Sequence, residues 1–159
     1  MDIRLQTAPF EPGKLLAEFS CGRRETGAVV SFTGLVRAEQ GAAEVLELDA
    51  YPGFTEVEIG RAAAAAVERF GLQDVLVAHR YGVMKPGEAI VFVATAAAHR
   101  RAAFKAADQL MDYLKSRAPF WKRSRGPSGD RWIEPTAQDY EDAARWDAPA
   151  APEPPKETP

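Results

Sequence analysis

With 159 residues, 46% of them hydrophobic and 27% charged, the chain is the size of one ordinary domain and long enough to bury a core. A disordered chain and a small disulfide scaffold are both excluded, and the single cysteine, Cys21, forbids an intrachain disulfide. The net charge of −3 hides an asymmetry: residues 99–125 hold eight Lys or Arg against two acids, a local balance of +6 that leaves −9 for the rest.

Taken in chain order, Ile3, Leu5 and Thr7 alternate like a short strand, and residues 12–19 read as a short helix that stops before Cys21-Gly22. Gly27 opens a β-branched, apolar strand over 28–36, with Gly34 a candidate bulge or site of close backbone approach. Residues 38–43 form a loop around Gly41, and a second strand over 44–51 ends at Pro52-Gly53. Thr55 with Glu58 suggests a capping box. Ile59, Ala62, Ala63, Ala66, Val67 and Phe70 then mark one helical face up to a stop at Gly71.

Strands over 74–81 and 88–97 are joined across Lys85-Pro86-Gly87, which favours antiparallel pairing. A helix over 100–117 turns Ala103, Ala107, Leu110 and Leu114 inward until Pro119 ends it. Residues 120–132 read as irregular, aromatic and basic, and 136–146 as a closing helix capped by Thr136 with Asp139. The expected fold class is α+β, a mostly antiparallel sheet with flanking helices. Residues 1–146 form one domain. Residues 147–159, five of them proline, form a disordered tail.

No run reaches the roughly 20 apolar residues needed to span a bilayer, the longest being 89–98, and Met1-Asp2-Ile3-Arg4 opens no secretory signal. A cytoplasmic protein without a membrane partner is expected. Only His79 and His99 supply imidazole, so no metal site is expected. The nucleophile elbow and the nucleotide-binding glycine loops are missing as motifs. A basic island in an acidic protein suits a pocket for a small anion better than general nucleic-acid binding, although a solvated helix face accounts for the same pattern.

Within that island, His99-Arg100 stands at a strand-to-helix junction, where unpaired N–H groups favour an anion; a plain helix cap with solvated Arg100 and Arg101 accounts for the spacing equally well. Lys115, in the last turn of its helix, and Lys122 straddle Pro119. Phe120-Trp121 either walls a pocket or belongs to the core. A lysine in a dry, cation-rich pocket has its charged form disfavoured and becomes a candidate acid, base or nucleophile. The residues thus lead to an anion pocket with one or two reactive lysines, and no substrate.

Five motifs add a resemblance. Residues 27–37 (Gly-Ala-Val-Val-Ser-Phe-Thr-Gly-Leu-Val-Arg), Tyr51-Pro52-Gly53, His79-Arg80-Tyr81-Gly82 leading to Pro86-Gly87-Glu88, Ala98-His99-Arg100, and Met111-Asp112-Tyr113-Leu114-Lys115 through Pro119-Phe120-Trp121-Lys122-Arg123 resemble, in order, the catalytic large subunit of molybdopterin synthase. Gly129-Asp130-Arg131-Trp132 extends the match to residue 132.

The resemblance implies an α/β hammerhead-like fold and a sulfurtransferase of molybdenum cofactor biosynthesis. Two sulfurs would pass to cyclic pyranopterin monophosphate from a small ubiquitin-like sulfur-carrier subunit bearing a C-terminal Gly-Gly thiocarboxylate. It implies a homodimer within a heterotetramer, and no cofactor or metal. Carried over by position, it makes Lys115 and Lys122 catalytic and lines the pterin site with Leu35, Val36, Arg37, His99, Arg100, Arg123 and Ser124. Ser124 departs from the acid common at its position, as do Asp49-Ala50 from the usual Glu and Arg101 from a small residue. Two rival classes are a nucleotide- or RNA-binding module that stacks bases on Tyr113, Phe120 and Trp121, and a persulfide carrier built on Cys21.

Overall fold

A computed structural model describes residues 1–38, 45–126 and 129–147. Among the described residues, eight strands form two four-stranded sheets. The first sheet has the order β1 (Asp2–Gln6), β4 (Asp74–Arg80), β6 (Ala89–Ala97), β2 (Ala28–Leu35). β1 runs parallel to β4, and the other two pairings are antiparallel. The second sheet, antiparallel throughout, has the order β5 (Gly82–Met84), β3 (Val45–Ala50), β7 (Phe120–Gly126), β8 (Gly129–Ile133).

The two-residue period of β4 and β6 builds two cores. Val75, Val77, Val91 and Val93 face α2 (Phe54–Phe70) and α3 (Arg100–Ser116), meeting Ile59, Ala63, Ala103 and Leu110. Leu76, Ala78, Phe92 and Ala94 point the other way and meet Leu15 and Phe19 of α1 (Pro12–Ser20). Covered on both faces, β6 reads as a continuous apolar run. A third, smaller cluster of Val36, Leu48 and Met84 lies at the second sheet.

Several local expectations are met. Gly71 ends α2 in the left-handed conformation (φ 61°), and Thr136 caps α4 (Ala137–Ala144) with Asp139 in a capping box. The bulge falls between Gly34 and Leu35, where a Cβ on Gly34 would stand 2.6 Å from Val91 Cγ1. Other details differ. α2 starts from Gly53, whose N–H donates to the Glu56 carboxylate (3.3 Å), while the expected partner Glu58 pairs with Arg61. Thr55 is buried inside the first turn; its hydroxyl accepts from Tyr51 N–H (3.1 Å) and donates to the Pro119 carbonyl (3.2 Å).

Within the segment 120–132, expected to be irregular, residues 120–126 and 129–132 belong to the paired strands β7 and β8, and the three-residue β5 interrupts the expected hairpin. Most of the expected loop 38–43, and residues 148–159 of the expected tail, lie outside the described residues. Asp147, the first residue assigned to that tail, pairs with Arg117 through two contacts of 2.7 and 2.6 Å. Among the described residues no helix is long and apolar enough to cross a membrane.

Candidate active site

A cleft of about 410 Å³ opens where the two sheets meet the C-terminal half of α3. Its apolar wall comes from Ile90 and Val91 of β6, Met111 and Leu114 of α3, Leu46 of β3 and Ile133 of β8. Residues 32–37 form one rim. The bulge after Gly34 lets the chain leave β2 yet stay anchored: Val36 N–H donates to the Glu88 carbonyl (2.9 Å) and Gly87 N–H to the Val36 carbonyl (2.8 Å). Arg37 follows at once. It is exposed, lines this cleft and an adjoining one, and has no acidic partner among the described residues.

Two lysines close the opposite side. Lys115 extends from the last turn of α3, 58% exposed, with Nζ donating to Asp139 Oδ1 at 3.2 Å. Lys122 lies in β7 between Leu48 and Ile133 of the neighbouring strands and is half-buried. Loss of hydration, and secondarily the charge of Lys115, lowers its pKa; the carboxylate of Asp139 opposes the shift. Burial thus makes the Lys122 ammonium readier to give up its proton than an ordinary hydrated lysine.

Beneath it lies His79, 4% exposed and stacked on Phe120 with ring centroids 4.2 Å apart. Its Nδ1 is 2.8 Å from the Arg80 carbonyl, which can only accept, so Nδ1 carries the proton and Nε2 keeps a free lone pair. Burial lowers its pKa to about 4, the Arg80 hydrogen bond opposes that shift, and the charge of Lys122 adds to it. His79 is therefore neutral at neutral pH. The arrangement is an apolar slot with a cationic mouth of Arg37, Lys115 and Lys122, fit to hold an anionic molecule and to move protons beside it.

The model of the family described as MoaE protein matches residues 5–117. The chain belongs to the MoaE family. It is 67% identical over 147 residues to a molybdopterin synthase catalytic subunit from Caulobacter vibrioides, covering 92% of this chain and 98% of that one. A solved molybdopterin biosynthesis MoaE protein from Burkholderia ambifaria is 39% identical with a TM-score of 0.78, covering 92% and 98% of the two chains. At 20% identity and a TM-score of 0.70, the same fold occurs in a complex of subunits 1 and 2 of molybdopterin-converting factor from Helicobacter pylori, with 82% and 89% covered.

In this MoaE chain the cleft brings together Leu35, Val36, Arg37, Lys115, Lys122 and Ser124. Three other expected residues stand apart. Arg123 alternates with Lys122 and Ser124 along β7, so its side chain leaves the opposite face, pairing with Glu47 and lying over the Trp132 ring at 5.4 Å. His99 and Arg100 are exposed at the start of α3; Lys115 is fifteen residues on, a helical rise of about 22 Å. His99 takes the N-cap position, but its side chain makes no capping hydrogen bond.

Conversely, His79 and Asp139 were not foreseen in site roles. The signal for His79 was available: it continues the Val75, Val77 alternation and so puts a histidine on a buried face. The rival readings find little in the geometry. Phe120 is stacked on His79 and so is not free to stack a base, Tyr113 is held through its hydroxyl to the Glu58 carbonyl, and exposed Trp121 packs edge-on against Tyr51. Of the eight cations in the basic segment, Lys115, Arg117, Arg123 and Arg125 are already ion-paired. Cys21 is exposed at the end of α1, across the first sheet from α3.

Proposed function

We propose that this chain is the catalytic subunit of a molybdopterin synthase, a sulfurtransferase that forms the dithiolene of molybdopterin from cyclic pyranopterin monophosphate. The observation that carries the reading is the convergence of Arg37, Lys115 and Lys122 on one apolar-walled cleft in a chain of the MoaE family. An anionic, phosphate-bearing heterocycle matches both the charge and the walls. The partner is a small subunit, in keeping with the two-subunit Helicobacter pylori assembly.

In this reading the thiocarboxylate at the C-terminal Gly-Gly of that subunit enters the cleft and its sulfur attacks the pterin side chain. Arg37 holds phosphate, Lys115 transfers protons during sulfur addition and ring opening, and Lys122 assists from its half-buried position. Water then cleaves the acyl link, the spent tail leaves, and a second charged partner delivers the second sulfur. Leu35, Val36 and Ser124 shape the slot around the substrate. A role for His99 and Arg100 at the same substrate requires a second copy of the chain, because their own cleft lies a helix length away; this fits the homodimer expected within a heterotetramer. The test mixes the protein with thiocarboxylated small subunit and precursor and measures dithiolene product. Product from the wild type and none from Lys115→Ala supports the reading; no product from the wild type overturns it.

A further inference from the structure

Asp139 does two jobs with one carboxylate. Its Oδ2 accepts from the N–H and the hydroxyl of Thr136, both at 2.8 Å, closing the cap of α4, while Oδ1 accepts from Lys115 at 3.2 Å. The side chain is only 16% exposed, against 58% for Lys115. α4 is itself fastened to the helix that bears Lys115: Trp146 Nε1 donates to Asp112 (2.6 Å), and Arg145 bridges Asp108 and Asp112. The carboxylate is thus fixed at its own end by the cap and, through α4, in register with α3. A long exposed lysine samples many rotamers, and one immobile anion narrows that set.

We propose that Asp139 is a positioning residue for Lys115, using the α4 cap as a rigid arm that holds the ammonium at the mouth of the cleft. The proposal rests on the catalytic reading of Lys115 given above. Burial pushes the Asp139 carboxyl up, but the Thr136 hydrogen bonds and the Lys115 ammonium together hold it below its ordinary value, so the arm stays anionic. The charged and titratable groups around this mouth are Lys115 on α3, Lys122 on β7, Arg37 after β2, Glu134 between β8 and α4, and Asp139 and Tyr140 on α4, with neutral His79 of β4 beneath Lys122. Asp139 therefore also bears on Lys122, whose ammonium it favours.

The test compares Asp139→Asn, which can still accept the Thr136 hydrogen bonds but has no charge, with Ala143→Gly, which weakens α4 without touching Asp139. In the full two-subunit complex Asp139→Asn lowers kcat by about tenfold or more, as loss of a positioned group does, with a smaller change in KM. Its pH profile moves to lower pH, because Lys122 loses the anion that favours its charged form. Ala143→Gly lowers Tm and leaves kcat and the profile in place.

Asp139→Glu keeps the charge but displaces it, gives an intermediate kcat, and serves if Asp139→Asn does not fold. Independently of activity, acetylation of Lys115 by an amine-reactive ester, read by peptide mass spectrometry against exposed Lys105, rises severalfold in either variant. Unchanged acetylation of Lys115, or a kcat loss in Asp139→Asn no greater than in Ala143→Gly, overturns the proposal. If the wild-type complex makes no dithiolene, the functional reading fails and the acetylation comparison alone decides whether Asp139 holds Lys115.

Discussion

Buried, neutral His79 makes the protein acid-sensitive in a way that one substitution removes. Its pKa is about 4 when folded and near 6.5 when the chain is unfolded. Below 6.5 the unfolded state binds a proton that the folded state refuses, so folding stability is complete above that pH and falls as pH drops toward 4. The full shift corresponds to about 3 kcal/mol, of which about 2.5 kcal/mol is already lost at pH 4.5. The check is urea unfolding of the wild type and of His79→Phe at pH 7.5 and 4.5, at one protein concentration because association shifts apparent stability. His79→Phe keeps a flat ring against Phe120 but cannot titrate. Every other group is common to both proteins and cancels in the comparison. The wild type loses about 2.5 kcal/mol more than the variant between the two pH values. Equal losses would refute the burial argument and leave His79 open to water.

Lys115→Arg keeps a cation beside Asp139 but holds its proton near neutral pH, so dithiolene formation is abolished while small-subunit binding persists; near wild-type turnover would reduce Lys115 to one more charge. Arg37→Ala, which breaks no ion pair among the described residues, weakens precursor binding by roughly tenfold to a hundredfold in calorimetry and leaves melting temperature unchanged. Cys21→Ser, on the far side of the first sheet, retains turnover; a folded but inactive variant would favour a persulfide carrier. In the proposed homodimer, at a precursor concentration too low for the weakened Arg100→Ala to bind, mixing it with inactive Lys115→Ala restores about one quarter of wild-type activity, because half of the random dimers are hybrids with one intact site; no recovery would show that Arg100 does not complete a partner's site.

The elements that were legible are those whose pattern is local. β4 and β6 are covered on both faces, and α3 turns Ala103, Ala107, Leu110 and Leu114 to one side, so their apolar residues announce them. The β7–β8 pair was not legible because its stability is drawn from across the chain. Trp121 to Arg125 alternates no apolar side chains; instead Glu47 on β3 pairs with Arg123 and Arg125, which Asp130 on β8 also approaches. The Thr55 cap failed for a related reason. A partner sixty-four residues away, the Pro119 carbonyl, draws the hydroxyl inward, and Gly53 takes the cap position instead.

The same distinction governs the site. Lys115 and Lys122 lie close in sequence on either side of Pro119, and the turn from α3 into β7 brings both to one cleft. Arg123 lies closer still, yet strand alternation sends it to the opposite face, where it finds Glu47. Proximity in sequence therefore groups three cations of which the cleft takes only the lysines, because it does not say which way a strand residue points. His99 and Arg100 were joined to Lys115 by the basic segment they share and by the resemblance, and a helix keeps its two ends apart by its length. Asp139 was legible as a cap from Thr136 onward, but its second contact is with a residue twenty-four positions away. What makes the lysine site specific is thus the tertiary placement of an acid that the local sequence assigns to another task.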